Sequence, residues 1–323
     1  MVDMVKLLYK IYTLDIKYDD FIDSIELLNN DSTNFEKKYS INDKNICWLD
    51  YKYIEENIYS EYLEKRGIDI NDLMASMSEN IRKADPNINK ESISKIISAT
   101  FERKIRKEHE LNIFYANDKA YFITHSKIAI SKFSEITNIV LSRMEVDNFL
   151  DLLLWITKKK YYNELINNFK VVDITNLNTM EDRGITIDDH SSNGNDLMES
   201  DSVLYRLTRS QQITILEIYI SSLNTNLAFK FSLYSDYPES DKTFGIHIYL
   251  KGLRFADNIS NYIKSINDKK IRTEFKRAYL IFIVASLFID ESIKLYKKEQ
   301  NKWDTDKKIY LDNIKQKVKQ VLK

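Results

Sequence analysis

At 323 residues, with 43% hydrophobic and 30% charged side chains, the chain exceeds the usual single domain and holds ample material for a core. Five glycines and two prolines exclude glycine-built phosphate cradles, and the single Cys47 excludes an intramolecular disulfide or a thiolate zinc cluster. The net charge of −1 hides an asymmetry: 14 acidic against 7 basic residues over 1–64, and 18 basic against 9 acidic over 251–323.

So few glycines and prolines predict a backbone that seldom turns through left-handed or rigid conformations. The surplus of Ile, Lys, Asn and Tyr matches the codon usage of an AT-rich genome. An acidic residue at position 3 and the lack of a cleavage-site pattern argue against a signal peptide. The longest apolar run, Ala278 to Ile289, is too short for a bilayer span of about 20 residues and reads as a buried helix. A soluble, cytoplasmic protein is expected.

In chain order, Tyr18 to Asn29 reads as a short amphipathic helix. Trp48 to Arg66 follows as another, with Tyr51, Ile54, Ile58 and Tyr62 on one face and Gly67 as its terminator. Asp69 or Asn71 caps a helix through Leu73, Met77 and Ile81 that ends before Pro86, and Asn89 caps the next through Ile93, Ile97, Phe101 and Ile105. The period then drops to two: Asn112–Ala116 and Lys119–Thr124 flank Asn117-Asp118 as a hairpin or pair of short strands. Helical spacing returns over Lys127–Met144 and again over Asn148–Phe169, with Asp147 as a cap and Lys158, Lys159 and Lys160 reaching for water.

Asp173 to Ser202 holds eight acidic residues against Arg183, together with clustered Ser and Asn, and reads as an acidic linker or disordered loop. Beyond it, Thr208 and Gln211 have capping-box spacing ahead of a helix through Ile213, Leu216 and Ile220. Phe229, Phe231 and Leu233, then Phe244, Ile246, Ile248 and Leu250, alternate with polar residues around Pro238 as a hairpin with one buried face. Helices over Ala256–Ile266, Lys270–Glu299 and Thr305–Val321 complete the chain. The expected fold is therefore α+β but predominantly α-helical. A helical domain over 1–172 carries a hairpin near 112–124, the linker spans 173–202, and a domain over 203–323 carries a hairpin near 227–251 and basic terminal helices.

The basic C-terminal stretch is the strongest candidate for function. Lys294, Lys297, Lys298, Lys302, Lys307, Lys308, Lys315 and Lys319, with Lys317 and Lys323, surround Tyr296, Trp303 and Tyr310. Lysines neutralise phosphates and aromatic rings stack on unpaired bases, so Trp303 joins the lysines as a candidate nucleic-acid contact. Ile309, Ile314, Val318 and Val321 give the same stretch an apolar stripe that packs on a core or a partner.

A second candidate is the pair Arg103 and His109, six apart in the helix-favouring run Arg-Lys-Ile-Arg-Lys-Glu-His. This spacing resembles the motif of HEPN-type ribonucleases, small helical domains that cleave RNA, usually across a dimer. The resemblance would make His109 a proton carrier and Arg103 the stabiliser of phosphorane charge. It covers seven residues, and Lys104 stands where the family often has another polar residue.

Glu181, Asp182, Asp188, Asp189 and His190 form a cluster whose carboxylate oxygens suit a hard cation, but at spacings that match no EF-hand loop, so they read as a solvating acidic segment. His125 and His247 lack a histidine partner at ligand spacing, and Cys47 reads as a small core residue. Neither metal nor cofactor is expected. The sequence favours a non-catalytic, nucleic-acid-associated binding or regulatory protein, a subunit of a larger assembly or a homo-oligomer. A protein–protein adaptor and a ribonuclease are the alternatives.

Overall fold

The computed structural model describes residues 8–30, 35–42, 46–55, 65–105, 107–180, 186–191, 198, 204, 207–208, 212–255 and 257–321, with backbone alone at 30, 70, 98–105, 179–180, 186–191, 252, 257–258 and 321. From the N-terminus it runs β1 (Lys10–Asp15), α1 (Tyr18–Asn30), β2 (Phe35–Asn42), β3 (Cys47–Glu55), α2 (Ile70–Ala84) and α3 (Lys90–Ile105). Then come β4 (Lys107–Ala116), β5 (Lys119–Thr124), α4 (Lys127–Thr137), β6 (Ser142–Arg143), α5 (Phe149–Tyr161), β7 (Leu165–Ile166), β8 (Phe169–Met180) and β9 (Thr186–Ser191). Strands β10 (Gln212–Ser222), β11 (Ala228–Ser235) and β12 (Phe244–Arg254) precede α6 (Asp257–Ser265), α7 (Lys269–Ile283), a π-helical turn (Val284–Ile289) and α8 (Asp290–Val321).

Two six-stranded antiparallel sheets organise these elements, in the orders β2-β3-β4-β5-β1-β6 and β12-β11-β10-β8-β7, with β9 on β8. The fold is α+β, and the expectation of a predominantly helical chain is corrected. The expected strands near 112–124 and 227–251 exist, but as parts of these larger sheets.

Two segments expected to be helical, and part of the expected linker, are strands. Trp48–Glu55 is β3: Cys47 to Tyr51 are all buried, and a strand covered on both faces shows no alternation, so Tyr51 and Ile54 match a helical stripe by coincidence. Its aromatic and β-branched content favours the strand. The rest of that expected helix, 56–64, lies outside the described residues. The segment through Ile213 to Ile220 is β10, with Leu216, Ile218 and Ile220 buried; Gln211 of the expected capping box lies outside the described residues. Within the stretch expected to be an acidic linker, Asp173 to Met180 belongs to β8 and pairs with β10, while Thr186–Ser191 is β9.

The helices expected over Lys127–Met144 and Asn148–Phe169 stop at Thr137 and Tyr161 because asparagine supplies the left-handed turn that glycine would. Asn138, Asn163 and Asn167 have φ of 56°, 55° and 52°, and Asn117 and Asp118 turn β4 into β5 at 53° and 55°. Asn and Asp reach this region because their short polar side chains hydrogen-bond locally. Left-handed turns are therefore common here, contrary to the expectation from glycine content. The caps at Asp69, before Asn71 N, and Asn89, before Ser92 N, are as expected.

The chain divides into two compact units, Asp15–Ala120 with Ser126–Val140, and Met1–Leu14 with Tyr121–His125 and Leu141–Lys323. In the first, Trp48, Tyr51 and Phe114 are fully buried and Trp48 Nε1 donates to Asn112 Oδ1 at 2.9 Å. A satellite core of Ile93 and Ile97 against Leu73, Met77 and Ile81 holds α2 to α3. Cys47 is buried on β3, and burial pushes its thiol up to about 11, the Lys37 charge opposing.

In the second unit, helices pack against the second sheet. Phe231 meets Phe288 edge-on at 5.4 Å, and Phe149 stacks on Phe244 at 4.7 Å. Phe288 lies in the π-helical turn that ends the apolar run; Leu287 in the same turn is 41% exposed, so that run is not buried all round. The two last helices expected from the sequence merge: α8 continues through Asn301–Asp304 to Val321. Among the described residues no helix is long and apolar enough to cross a membrane.

The turn chemistry is testable at Asn138, which ends α4. Asn138→Ala should lower stability to urea by about 1 kcal/mol, because a Cβ without a polar partner is penalised in the left-handed region, whereas Asn138→Gly should leave it unchanged or higher. Equal losses for both would refute the assignment.

Candidate nucleic-acid interface

Helix α8 spans 32 residues and is therefore about 48 Å long. Ser292, Tyr296, Trp303, Tyr310, Ile314 and Val318 are buried at four- and seven-residue steps, so one face of the helix is committed to the core. Lys294, Lys297, Lys298, Lys302, Lys308, Lys315 and Lys319 are all exposed and fall on the opposite face. From Lys294 to Lys319 this row runs about 37 Å, the length of some eleven phosphates of one strand at about 3.4 Å each.

The acidic residues of α8 are largely engaged elsewhere. Lys159 Nζ reaches Glu299 Oε1 at 2.6 Å and Glu164 Oε2 at 2.6 Å, while Lys158 Nζ reaches Asp306 at 3.1 Å and Glu299 at 3.8 Å. Trp155 Nε1 donates to Glu299 Oε2 at 2.7 Å, and the Lys159 ammonium lies 4.7 Å from the centroid of the Trp155 ring. Lys158 and Lys159 are 8% and 5% exposed, so their heads do not reach for water as expected but serve as buried partners of α8. Tyr310 OH donates to Thr157 Oγ1 at 3.0 Å, further joining α8 to α5. Glu291 holds Lys294 and Asp312 holds Lys315, so Asp304 is the acid of α8 that makes no ion pair or hydrogen bond among the described residues.

Burial raises the Glu299 carboxyl, but hydrogen bonds from Lys159 and Trp155 and the charges of Lys159 and Lys158 outweigh it and hold it below the ordinary carboxylate value. For Lys159 burial lowers the ammonium, yet Glu164 and Glu299 hold it above the ordinary lysine value. Each group is thus kept in its charged form by the other.

Of the residues singled out in the sequence, Lys297, Lys298, Lys302, Lys308 and Lys319 make no ion pair among the described residues. Lys294 and Lys315 are exposed but paired along the helix. Lys307 is turned toward α5 and pairs with Asp151 at 2.7 Å, off the exposed row. Trp303 is 2% exposed and packs edge-on against Tyr296 at 5.9 Å, so neither ring, nor the buried Tyr310, is open to stack on a base. Lys317 lies 5.9 Å from the centroid of the Tyr161 ring, and Lys323 lies outside the described residues.

Arg103 and His109 do not share a helix. Arg103 is in the last turn of α3, its side chain outside the described residues, whereas His109 is on β4. The His109 ring is 2% exposed, lies 2.8 Å from Glu55 Oε2 and stacks on Tyr53. Of the acidic cluster, Glu181 and Asp182 lie outside the described residues, and Asp188, Asp189 and His190 are described by backbone alone on β9. Among the described residues no three His, Cys, Asp or Glu side chains are grouped to hold a metal ion.

Sequence reasoning missed two buried carboxylates, Asp50 on β3 and Glu217 on β10, of which Glu217 anchors a hydrogen-bond network. Glu217 on β10 accepts from Thr175 Oγ1 at 2.7 Å and Ser232 Oγ at 3.3 Å, and from Tyr249 OH and Lys230 Nζ. Burial raises its carboxyl, but the hydrogen bonds from Lys230, Tyr249 and Thr175 and the Lys230 charge bring it below the ordinary value. Both oxygens are saturated, so this group ties strands together rather than offering a lone pair for chemistry. The alternation of Leu216, Glu217 and Ile218 was the available signal, obscured by the helical reading. His247, edge-on to Tyr249 at 4.7 Å, adjoins the network.

No protein-family model matches this chain, and no curated protein matches it in sequence.

The Glu299 network predicts a pH signature. A carboxyl whose folded value is depressed contributes stability above its unfolded value of about 4.3, and that contribution disappears as pH falls through the lower folded value. Glu299→Gln should cost about 1–3 kcal/mol at pH 7, allowing for the partial exposure of Glu299, with the difference from the parent shrinking on acidification. Urea melts from pH 7 down to 3 measure it; a difference that grows toward acid pH would contradict the network.

Proposed function

We propose that this protein is a non-catalytic nucleic-acid-binding protein of the cytoplasm, which grips the phosphate backbone with the outer face of α8. The observation that carries the reading is the division of charge on that helix: four of its six acids, Glu291, Glu299, Asp306 and Asp312, are engaged by α5 or by neighbouring lysines, while Lys297, Lys298, Lys302, Lys308 and Lys319 stay exposed and unpaired among the described residues. A row of free ammonium groups displaces condensed counterions from a polyanion without reading its sequence. Because Trp303, Tyr296 and Tyr310 are buried, binding on this face rests on charge and not on stacking.

Partner recognition beside the lysine row is favoured by Ile309, 52% exposed, and Tyr162, 37% exposed, which line one shallow groove of about 320 Å³. A protein subunit seated there would leave the lysines free, consistent with a role in a larger assembly.

Fluorescence anisotropy with a labelled single-stranded oligonucleotide tests the reading. Replacing Lys297, Lys298, Lys302 and Lys308 together with Gln should weaken binding strongly. It should also flatten the slope of log affinity against log salt by about three, at about 0.7 per lost contact. Trp303→Phe should leave both unchanged. Binding insensitive to salt, or unaltered by the four substitutions, would reject a phosphate grip on α8.

A further inference from the structure

A pocket of about 180 Å³ opens where the first turns of α5, the start of β10 and the middle of α8 meet. Its polar wall is built from opposite charges held together: Lys307 Nζ lies 2.7 Å from Asp151 Oδ1, and Asn148 Nδ2 donates to Asp151 Oδ2 at 2.8 Å. Gln212 also lines the pocket, and its Oε1 is buried with no hydrogen-bond partner among the described residues. Opposite stands an apolar wall of Leu150, Leu154, Leu207, Ile213 and Leu311, of which Leu207 and Ile213 are each 1% exposed.

We propose that this pocket binds a small zwitterion, an α-amino acid with a short aliphatic side chain. An anion alone would face Asp151, and a cation alone would face Lys307; either leaves one charge of the pair without its partner. A molecule whose carboxylate and ammonium are one carbon apart answers both at once, carboxylate to Lys307 and ammonium to Asp151. The ion pair then exchanges partners, and no charge is stranded. Turning the Gln212 amide brings its free oxygen to the same ammonium, a group with three donors. The aliphatic side chain fills the leucine-lined side, and the volume excludes nucleotides and other ligands that need pockets of about 300 Å³ or more. Lys307 points away from the exposed lysine row, so this inference does not depend on the nucleic-acid reading.

The test is a methyl nuclear magnetic resonance titration of the full chain, labelled at Leu and Ile methyls, with L-valine or L-leucine. Saturating shifts confined to the methyls of Leu150, Leu154, Leu207, Ile213 and Leu311 are expected. Isovalerate and isobutylamine, which each keep one charge, should bind at least about tenfold more weakly, because one member of the partly exposed pair loses its partner. Lys307→Gln, checked for folding by its methyl spectrum, should lose the amino acid as well. Shifts absent from these methyls, shifts centred elsewhere, or a singly charged analogue binding as well as the amino acid would overturn the proposal. Because it reads the unmodified protein, the titration decides the matter even if the variant fails to fold.

Discussion

The placement of α8 depends on ion pairs made at the expense of water. Lys158 and Lys159 are held below a tenth exposure, where an unpartnered ammonium would be costly, and Glu299 and Asp306 are the groups that make their burial tolerable. Removing one partner strands the other, so the two helices are fixed in register as well as in contact. The same arrangement sets the polarity of α8. With Glu299 and Asp306 turned toward α5, the outer face is left with lysine in excess.

The aromatic residues follow from this orientation. Tyr296, Trp303 and Tyr310 fall on the side of the helix that faces α5 and the sheet, where Tyr310 finds Thr157 and Trp155 finds Glu299. What looks in sequence like lysines interleaved with stacking rings separates in space into a dry aromatic face and a wet cationic one. A surface of this kind can attract a phosphate chain without distinguishing its bases, and its strength is set by salt.

The legible parts of the fold were those with one buried face. The hairpin of Phe229–Leu233 with Phe244–Leu250 showed clean alternation, and Asp69 and Asn89 marked helix starts through side chains that accept backbone N–H groups. The illegible parts were strands covered on both sides. In β3 the apolar residues are too dense for a period to emerge; in β10 the half-buried Ile215 and Tyr219 obscure the alternation around Glu217, and length favoured a helix. Asparagine hid the turns: counting glycines missed Asn138, Asn163 and Asn167, which bend the chain in glycine's place. At the site, the lysine stripe was readable from spacing, but its engagement was not. Lys307 pairs across 156 residues and Glu299 across 140, separations at which sequence carries no local signal.

The central claim is that buried pairing of some lysines leaves others free to grip a polyanion, and lysine acetylation read by mass spectrometry tests it most directly. In the free protein Lys297, Lys298, Lys302, Lys308 and Lys319 should modify rapidly and Lys158 and Lys159 hardly at all; adding an oligonucleotide should protect the first group and leave the second unchanged. Equal reactivity of Lys158 and Lys297, or an α8 row that stays reactive with the oligonucleotide bound, would contradict the account.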